Sequence, residues 1–378
     1  MSIAPRVALY ASAGRQLVHF DAGADALVRR AGTVLPENVQ YASADPSGRM
    51  LYVAWSNGVD NDRHGVTAFR IDPASGALAQ AGDHVALPHR TIHLTVDNDG
   101  AFLLLAFNKP RTVMVFRIAA DGAIGKLVAQ PSPVDGGPFV HQVRVARGNR
   151  TVLTCAMGGT PGATAPDQLG RITNYEFADG VLTPRQIVVP GPGLGPRHLD
   201  FHPTLPLAYV AFERGNKLSA YRLEGEALGA SAAFTADILT RDLPGQHAGA
   251  IHVHPAGGFV YVTNRKSAVQ PQDGTPVFAG GENTLAVFAL DPHGAPRLIQ
   301  HEDTRGFEPR TFAIDPSGRF LVVANQKAMV VRAGQAPTPP NLALFSIGAD
   351  GKLTFIATTP MIQGGDAFWV GMVGLGAA

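Results

Sequence analysis

The chain carries a single cysteine, Cys155, among 378 residues. No disulfide can form within it, which suits a reducing compartment. Cys155 falls inside the apolar run VLTCAM, a pattern that predicts a buried, inert thiol. Charge is equally sparse: 16% of residues are charged, the net charge is +1, and no run of Lys or Arg exceeds two. That excludes the electrostatic footprint of a nucleic-acid binder. No apolar run reaches the roughly 18 residues of a membrane-spanning helix. The N-terminal MSIAPRVALYAS also lacks a basic segment followed by a long apolar core. The expectation is a soluble, cytoplasmic protein with no membrane partner. Gly-x-Ser-x-Gly elbows, Walker-type loops and dinucleotide fingerprints are missing too, so no nucleophilic triad and no cofactor is expected.

Glycine and proline, by contrast, are plentiful, at 43 and 29 residues, and they recur in order. The stretch from Pro196 to Glu224 reads as an apolar strand, a turn at His202-Pro203-Thr204, a second strand and a third of alternating residues. Asp45-Pro46-Ser47-Gly48 precedes MLYVAWSN, Asp97-Asn98-Asp99-Gly100 precedes AFLLLAFN, and Ala146-Arg147-Gly148-Asn149 precedes RTVLTCAM. His254-Pro255-Ala256-Gly257 precedes GFVYVTNR and Asp315-Pro316-Ser317-Gly318 precedes RFLVVANQ. Six copies, 49 to 61 residues apart, mark a radial β-repeat. Residues 7–30 hold strand-like runs without a leading strand, and Ala367–Met372 is a strand left over after the sixth copy. Joined, they complete a seventh blade. The predicted fold is therefore all-β: a seven-bladed propeller of four antiparallel strands per blade, closed by both termini and spanning 1–378 as one domain.

The repeat also sorts the loops. If strands A–B and C–D are joined by tight turns, those turns share one face, and the longer B–C and D–A connections share the other. Gly158–Gly170, Lys266–Glu282 and Val331–Pro340 are such connections, and long loops on a rigid scaffold favour binding. The turns after the third strand, such as Asp72-Pro73-Ala74-Ser75-Gly76 and Asp291-Pro292-His293-Gly294, offer one carboxylate each, too few ligands for calcium.

Aligning the copies on the A–B turn picks out the residues at the channel mouth. Five positions before it stand Gln40, Ile92, His141, Arg197, Gly249 and Arg310; next come Tyr41, His93, Gln142, His198, Ala250 and Thr311. Where strand B re-emerges stand Ser56, Asn108, Met157, Glu213, Arg265 and Gln326. Three arginines against one acid leave positive charge that a purely structural network rarely tolerates. The mouth therefore suits a small anionic substrate. His93, His198 and His252 serve equally well as structural residues on this reading, and His202 and His254 fit turn roles better. A zinc site from His93, His141, His198 and His252 would draw on four blades without short ligand spacing, so no metal is expected.

At Gly195-Pro196-Arg197-His198, Phe201-His202-Pro203, Tyr209–Glu213, Ile251-His252, Tyr261–Arg265, Glu308-Pro309-Arg310 and Asn325-Gln326-Lys327 the chain resembles the seven-bladed propeller lactonases. That family includes propeller-type 6-phosphogluconolactonases and 3-carboxy-cis,cis-muconate lactonizing enzymes, and the resemblance runs from about residue 7 to 372. It implies an active-site set of His141, Arg197, Glu213 and Arg265. The resulting expectation is metal-independent hydrolysis of a small, anionic sugar lactone by a monomer. Glu213 would be the general base, His141 would assist the leaving alkoxide, and Arg197 and Arg265 would hold the oxyanion. His93, His198, His252, Arg310, Gln326 and Asn108 would line the pocket. The alternatives are a muconate-type cycloisomerase using the same residues and a non-catalytic propeller that binds partners on its loop face.

Overall fold

The computed structural model describes residues 6–159, 165–361 and 367–376. Part of the 158–170 loop, residues 160–164, lies outside them, as do residues 1–5. Among the described residues, seven sheets of at least four strands follow one another around a ring, with a separate two-stranded hairpin inserted in the fifth. Strand A of blades one to six is Asn38–Ala44, Thr91–Val96, Val140–Val145, Pro196–Phe201, His247–Val253 and Phe307–Ile314. Each pairs antiparallel with the strand B that follows it: Met50–Ser56, Phe102–Asn108, Thr151–Ala156, Leu207–Phe212, Phe259–Arg265 and Phe320–Lys327. In the seventh blade the last strand, Ala367–Gly374, lies innermost and pairs with Val7–Ala13, so the two ends of the chain close the ring.

The turns hold because their side chains cap strand B. Asp45 Oδ1 accepts the Arg49 and Met50 amides at 2.9 and 2.8 Å. Asp97 does the same for Ala101 and Phe102, both at 2.7 Å. In blades four and five an imidazole replaces the carboxylate: His202 Nδ1 accepts the Leu205 amide at 2.8 Å, and its Nε2 lies 2.9 Å from the Gly257 carbonyl of the next blade. His254 repeats the contact to Gly318 at 2.9 Å. Turn residues are thus occupied with backbone.

Strand B knits the blades. The hydroxyls of Tyr10, Tyr52, Tyr209 and Tyr261 donate to the carbonyls of Gly76, Gly122, Gly294 and Gly351, each in the C–D turn of the neighbouring blade, at 2.6 to 2.9 Å. Apolar side chains fill the spaces between sheets. One such layer joins Leu153 and Cys155 of blade three to Val210 and Phe212 of blade four. Cys155 is buried as its pattern required.

One irregularity repeats around the axis. In strand A of each of the first six blades, one residue more than on strand B interrupts the ladder. The interruptions fall at Gln40, Ile92, His141, Arg197, Gly249-Ala250 and Arg310. The closing strand breaks register between its partners Ala11 and Ala13, where Phe368 and Trp369 stand. A β-bulge re-aims its side chain and leaves it outside the pairing pattern. In the first six blades the position five before the turn therefore falls in the bulge; it carries Gln40, His141, Arg197 and Arg310 in blades one, three, four and six, whereas Ile92 of blade two packs in the core.

Candidate active site

Arg197 is 1% exposed, and its Nε stands 2.7 Å from Glu213 Oε2, out of line for a hydrogen bond but in ion-pair contact. Arg265 reaches the same oxygen from blade five, Nη2 to Oε2 at 2.9 Å. Its Nε donates to the Ala248 carbonyl at 3.2 Å, which fixes the plane of the guanidinium. Arg265 Nη1 pairs with Glu308. The aligned columns hold one carboxylate; among the described residues a second, Glu308, joins it. Glu308 escaped the alignment because it stands two residues before the bulge, in left-handed backbone (φ 56°). Asn283 holds it there, accepting both the Glu308 and Lys266 amides through Oδ1 at 2.9 and 3.0 Å. His247 was also missed; it lies opposite Arg265 in the ladder, and its buried Nδ1 has no partner among the described residues.

Arg310 completes the cationic set. No carboxylate pairs with it among the described residues; its guanidinium lies over the Phe368 ring, 4.4 Å from the centroid. Burial and the nearby Arg197 and Arg265 draw its pKa down to about 9, and burial with Arg265 brings Arg197 to about 10, so both remain cations at neutral pH. Burial alone would raise the Glu213 pKa, but Arg265 and Arg197 outweigh it and hold the carboxyl below its usual range. Arg265 is moved the opposite way: burial lowers it, and Glu213 and Glu308 more than restore it.

His141 stands at the bulge of blade three, 5% exposed, with Nδ1 lacking a partner among the described residues. Its ring lies 4.9 Å from that of His198, which lies 5.7 Å from His93; His93 in turn packs 4.1 Å from Tyr41. With Trp369, 6.3 Å from Tyr41, these rings form a floor across the channel. Burial, reinforced by neighbouring cations that include Arg197, pushes all three imidazoles well below their ordinary value, so they are neutral. Among the described residues neither nitrogen of His93 has a hydrogen-bond partner.

Four of the expected residues, His141, Arg197, Glu213 and Arg265, thus converge with Arg310, and His198 and His93 lie beneath them. Gln326 lines an adjoining cavity of about 350 Å³ with Gln40, Arg90 and Phe368. Two others lie apart from this group. His252 lies beyond the floor, with Nδ1 3.6 Å from Asp200 Oδ2, lining a cavity of about 270 Å³ on the turn side. Alternation places residues two and four before the turn both on the channel, but at different depths. Asn108 pairs with Arg111 across a two-residue connection and does not line the Arg90 cavity. The sequence signal for Phe368 and Trp369 existed, but their strand has no following turn on which to align it.

A closed seven-bladed propeller with arginines and an ionised carboxylate at its axial mouth defines the structural class. The chain belongs to the seven-bladed β-propeller lactonase family, whose model matches residues 7–335. It is 30% identical to a 6-phosphogluconolactonase of Pectobacterium carotovorum over 85% of this chain and 89% of that one. It is 27% identical to the 6-phosphogluconolactonase of Serratia proteamaculans over 97% and 99%. Among solved structures, the periplasmic gluconolactonase of Pseudomonas aeruginosa superposes with a TM-score of 0.76 at 24% identity, covering 98% of this chain and 100% of that chain.

Proposed function

We propose that this protein hydrolyses a small anionic sugar lactone at the loop-face mouth of its channel, without a metal ion. The observation that carries the reading is a pair of buried polar atoms without partners among the described residues, Arg197 Nη1 and His141 Nδ1, in a site where two guanidiniums grip one carboxylate. Buried donors and acceptors almost always find partners, and a catalytic role is one reason for an exception.

The electrostatics redistribute the roles expected from sequence. Glu213 gives one oxygen to Arg197 and Arg265 and is held ionised, so it is a weak base and a strong anchor. Its task in this reading is to aim the two guanidiniums. His141 is neutral and takes the proton. In the first step the water oxygen bonds to the lactone carbonyl carbon, and its proton passes to His141. The carbonyl electron pair moves onto oxygen, where the arginines meet it. In the second step that pair returns, the ring C–O bond breaks, and His141 delivers its proton to the departing alkoxide. The product is a hydroxy acid that ionises into solvent. An oxyanion donor of this type lowers the barrier by about 3 kcal/mol.

The cations that make His141 a weak base in the free protein are the ones a bound anion would offset. Substrate binding therefore raises the His141 pKa toward neutrality, where general-base catalysis is most effective. The test is acid release at constant pH with δ-gluconolactone, its 6-phosphate and a muconate, with chelator in a duplicate. Saturable acid release from a lactone, unchanged by chelator and lost in Glu213→Gln, is the expected result. Release that requires metal, or survives Glu213→Gln at full rate, contradicts the reading. Loss of muconate absorbance in place of acid release would assign cyclisation instead.

A further inference from the structure

Across the mouth from Glu213 lies a second group of polar side chains that the reaction above does not use. Its cavity, about 350 Å³, is lined by Asn38, Gln40, Asn57, Arg90, Gln326 and Phe368 among others, and no Asp or Glu is among the described lining residues. Arg90 Nε donates to Gln40 Oε1 at 2.6 Å, and Gln40 Nε2 donates to the Asn38 carbonyl at 2.9 Å. Gln40 is the bulge residue of blade one, so the backbone irregularity that aims His141 and Arg197 also aims the residue holding Arg90. The guanidinium is thus oriented through one nitrogen, while its two Nη groups have no protein partner among the described residues. The same holds for Arg310, whose only described contact is the Phe368 ring. Phe368 lines the cavity, so two guanidiniums that no described acid pairs flank one side of the mouth.

We propose that Arg90, oriented by Gln40 and assisted by Arg310, forms an anion subsite that takes a phosphate monoester borne by the substrate at the end remote from its reacting carbonyl. The inference rests on the lactone-hydrolase reading for the identity of that remote end. A structural arginine pair would recruit a carboxylate, since half-buried like charges repel and lose hydration. Two free guanidinium forks match the charge and the three peripheral oxygens of a dianion, whereas a carboxylate would offset only one of them. Burial weakens the Arg90 cation, and Arg90 in turn weakens that of Arg310; an incoming dianion relieves both. The substrate would then span the mouth, carbonyl toward Arg197 and phosphate toward Arg90, which fixes which ring face His141 meets.

The test compares kcat/KM for δ-gluconolactone 6-phosphate with that for δ-gluconolactone in wild type, Arg90→Gln and Arg90→Lys. The subsite predicts that the ratio falls at least tenfold in Arg90→Gln, carried by KM, and less in Arg90→Lys, which keeps the charge but loses the fork. A ratio within twofold of wild type in Arg90→Gln overturns it. Calorimetric titration of folded wild type and Arg90→Gln with 6-phosphogluconate, the hydrolysis product, and with inorganic phosphate separates this inference from the catalytic one. Should wild type turn over neither lactone, the hydrolase reading fails. Product binding at least tenfold weaker in Arg90→Gln would still support the subsite, and equal binding would overturn it. Tight Arg90-dependent binding of a dicarboxylate with none of the phosphate ester would also overturn it.

Discussion

His93, His141 and His198 are three imidazoles closed off from water and set against Arg197, a combination that keeps them uncharged. In an unfolded chain each titrates near 6.5. Between that value and the lower folded ones, the unfolded chain binds protons that the folded chain refuses. Stability is therefore full above the ordinary imidazole value and is lost as pH falls, by up to about 1.4 kcal/mol per pH unit for each ring. Denaturant unfolding between about pH 7 and about pH 5 should show a steep decline. His93→Phe, which keeps a ring but cannot titrate, should make it shallower; an equal slope would contradict the assignment of His93 as a buried neutral base. At the same scale, the anion-coupled His141 pKa has a kinetic signature. The acid limb of kcat, which reports the substrate complex, should lie at higher pH than that of kcat/KM, which reports free protein. Coincident limbs would mean that substrate charge does not reach His141.

The element that organises the site is strand A with its bulge. Glycine stands at the bulge of blade five because a Cβ on Gly249 would meet Thr263 Oγ1 at 2.2 Å and the Pro309 carbonyl at 2.9 Å. Gly249→Ala should therefore push on the strand entry that carries Glu308 and cost about 1–3 kcal/mol of stability. Turnover should fall with it, as Arg265 loses its second partner; a variant with wild-type stability and kinetics would show that this entry is not tightly packed. The tyrosine links make the complementary prediction. Tyr209→Phe leaves the Gly294 carbonyl without its donor and should cost about 1–2 kcal/mol while leaving kcat and KM within about twofold, because the link lies at the turn face. How legible the site was follows from the same strand. Aligning copies on the A–B turn found the bulge column, since each bulge lies at a fixed distance from its turn. It missed Glu308 and His247, which stand two residues earlier, and it placed His252 at the wrong depth. Alternation says that a side chain faces the channel; it does not say which end.

At the scale of the whole molecule, closure was readable because the leftover strand Ala367–Gly374 and the strands that follow Val7 each lacked what the other supplied. The contents of the closing blade were not, since no turn links its innermost strand to the next. All seven residues of Val7–Ala13 are buried, and the Trp369 amide donates to Ser12 Oγ at 2.9 Å. Removing the chain from residue 367 onward should leave an open edge that pairs with other copies. Such a truncation should be recovered as aggregate by size-exclusion chromatography, and a stable monomer would contradict closure as the source of ring stability. The ring is also what makes the site possible. Arg197 and Arg310 come from the bulges of blades four and six and Arg265 from the end of strand B in blade five, so three neighbouring blades supply the cations around the axis.

The central claim is that His141 carries the proton while Glu213 aims the arginines. It is tested most directly by constant-pH acid release from lactone with His141→Gln beside wild type, both first shown to be folded. The account predicts a kcat at least a hundredfold lower with KM little changed, because the anion-binding arginines remain in place. A His141→Gln protein that hydrolyses lactone within twofold of the wild-type rate would contradict it.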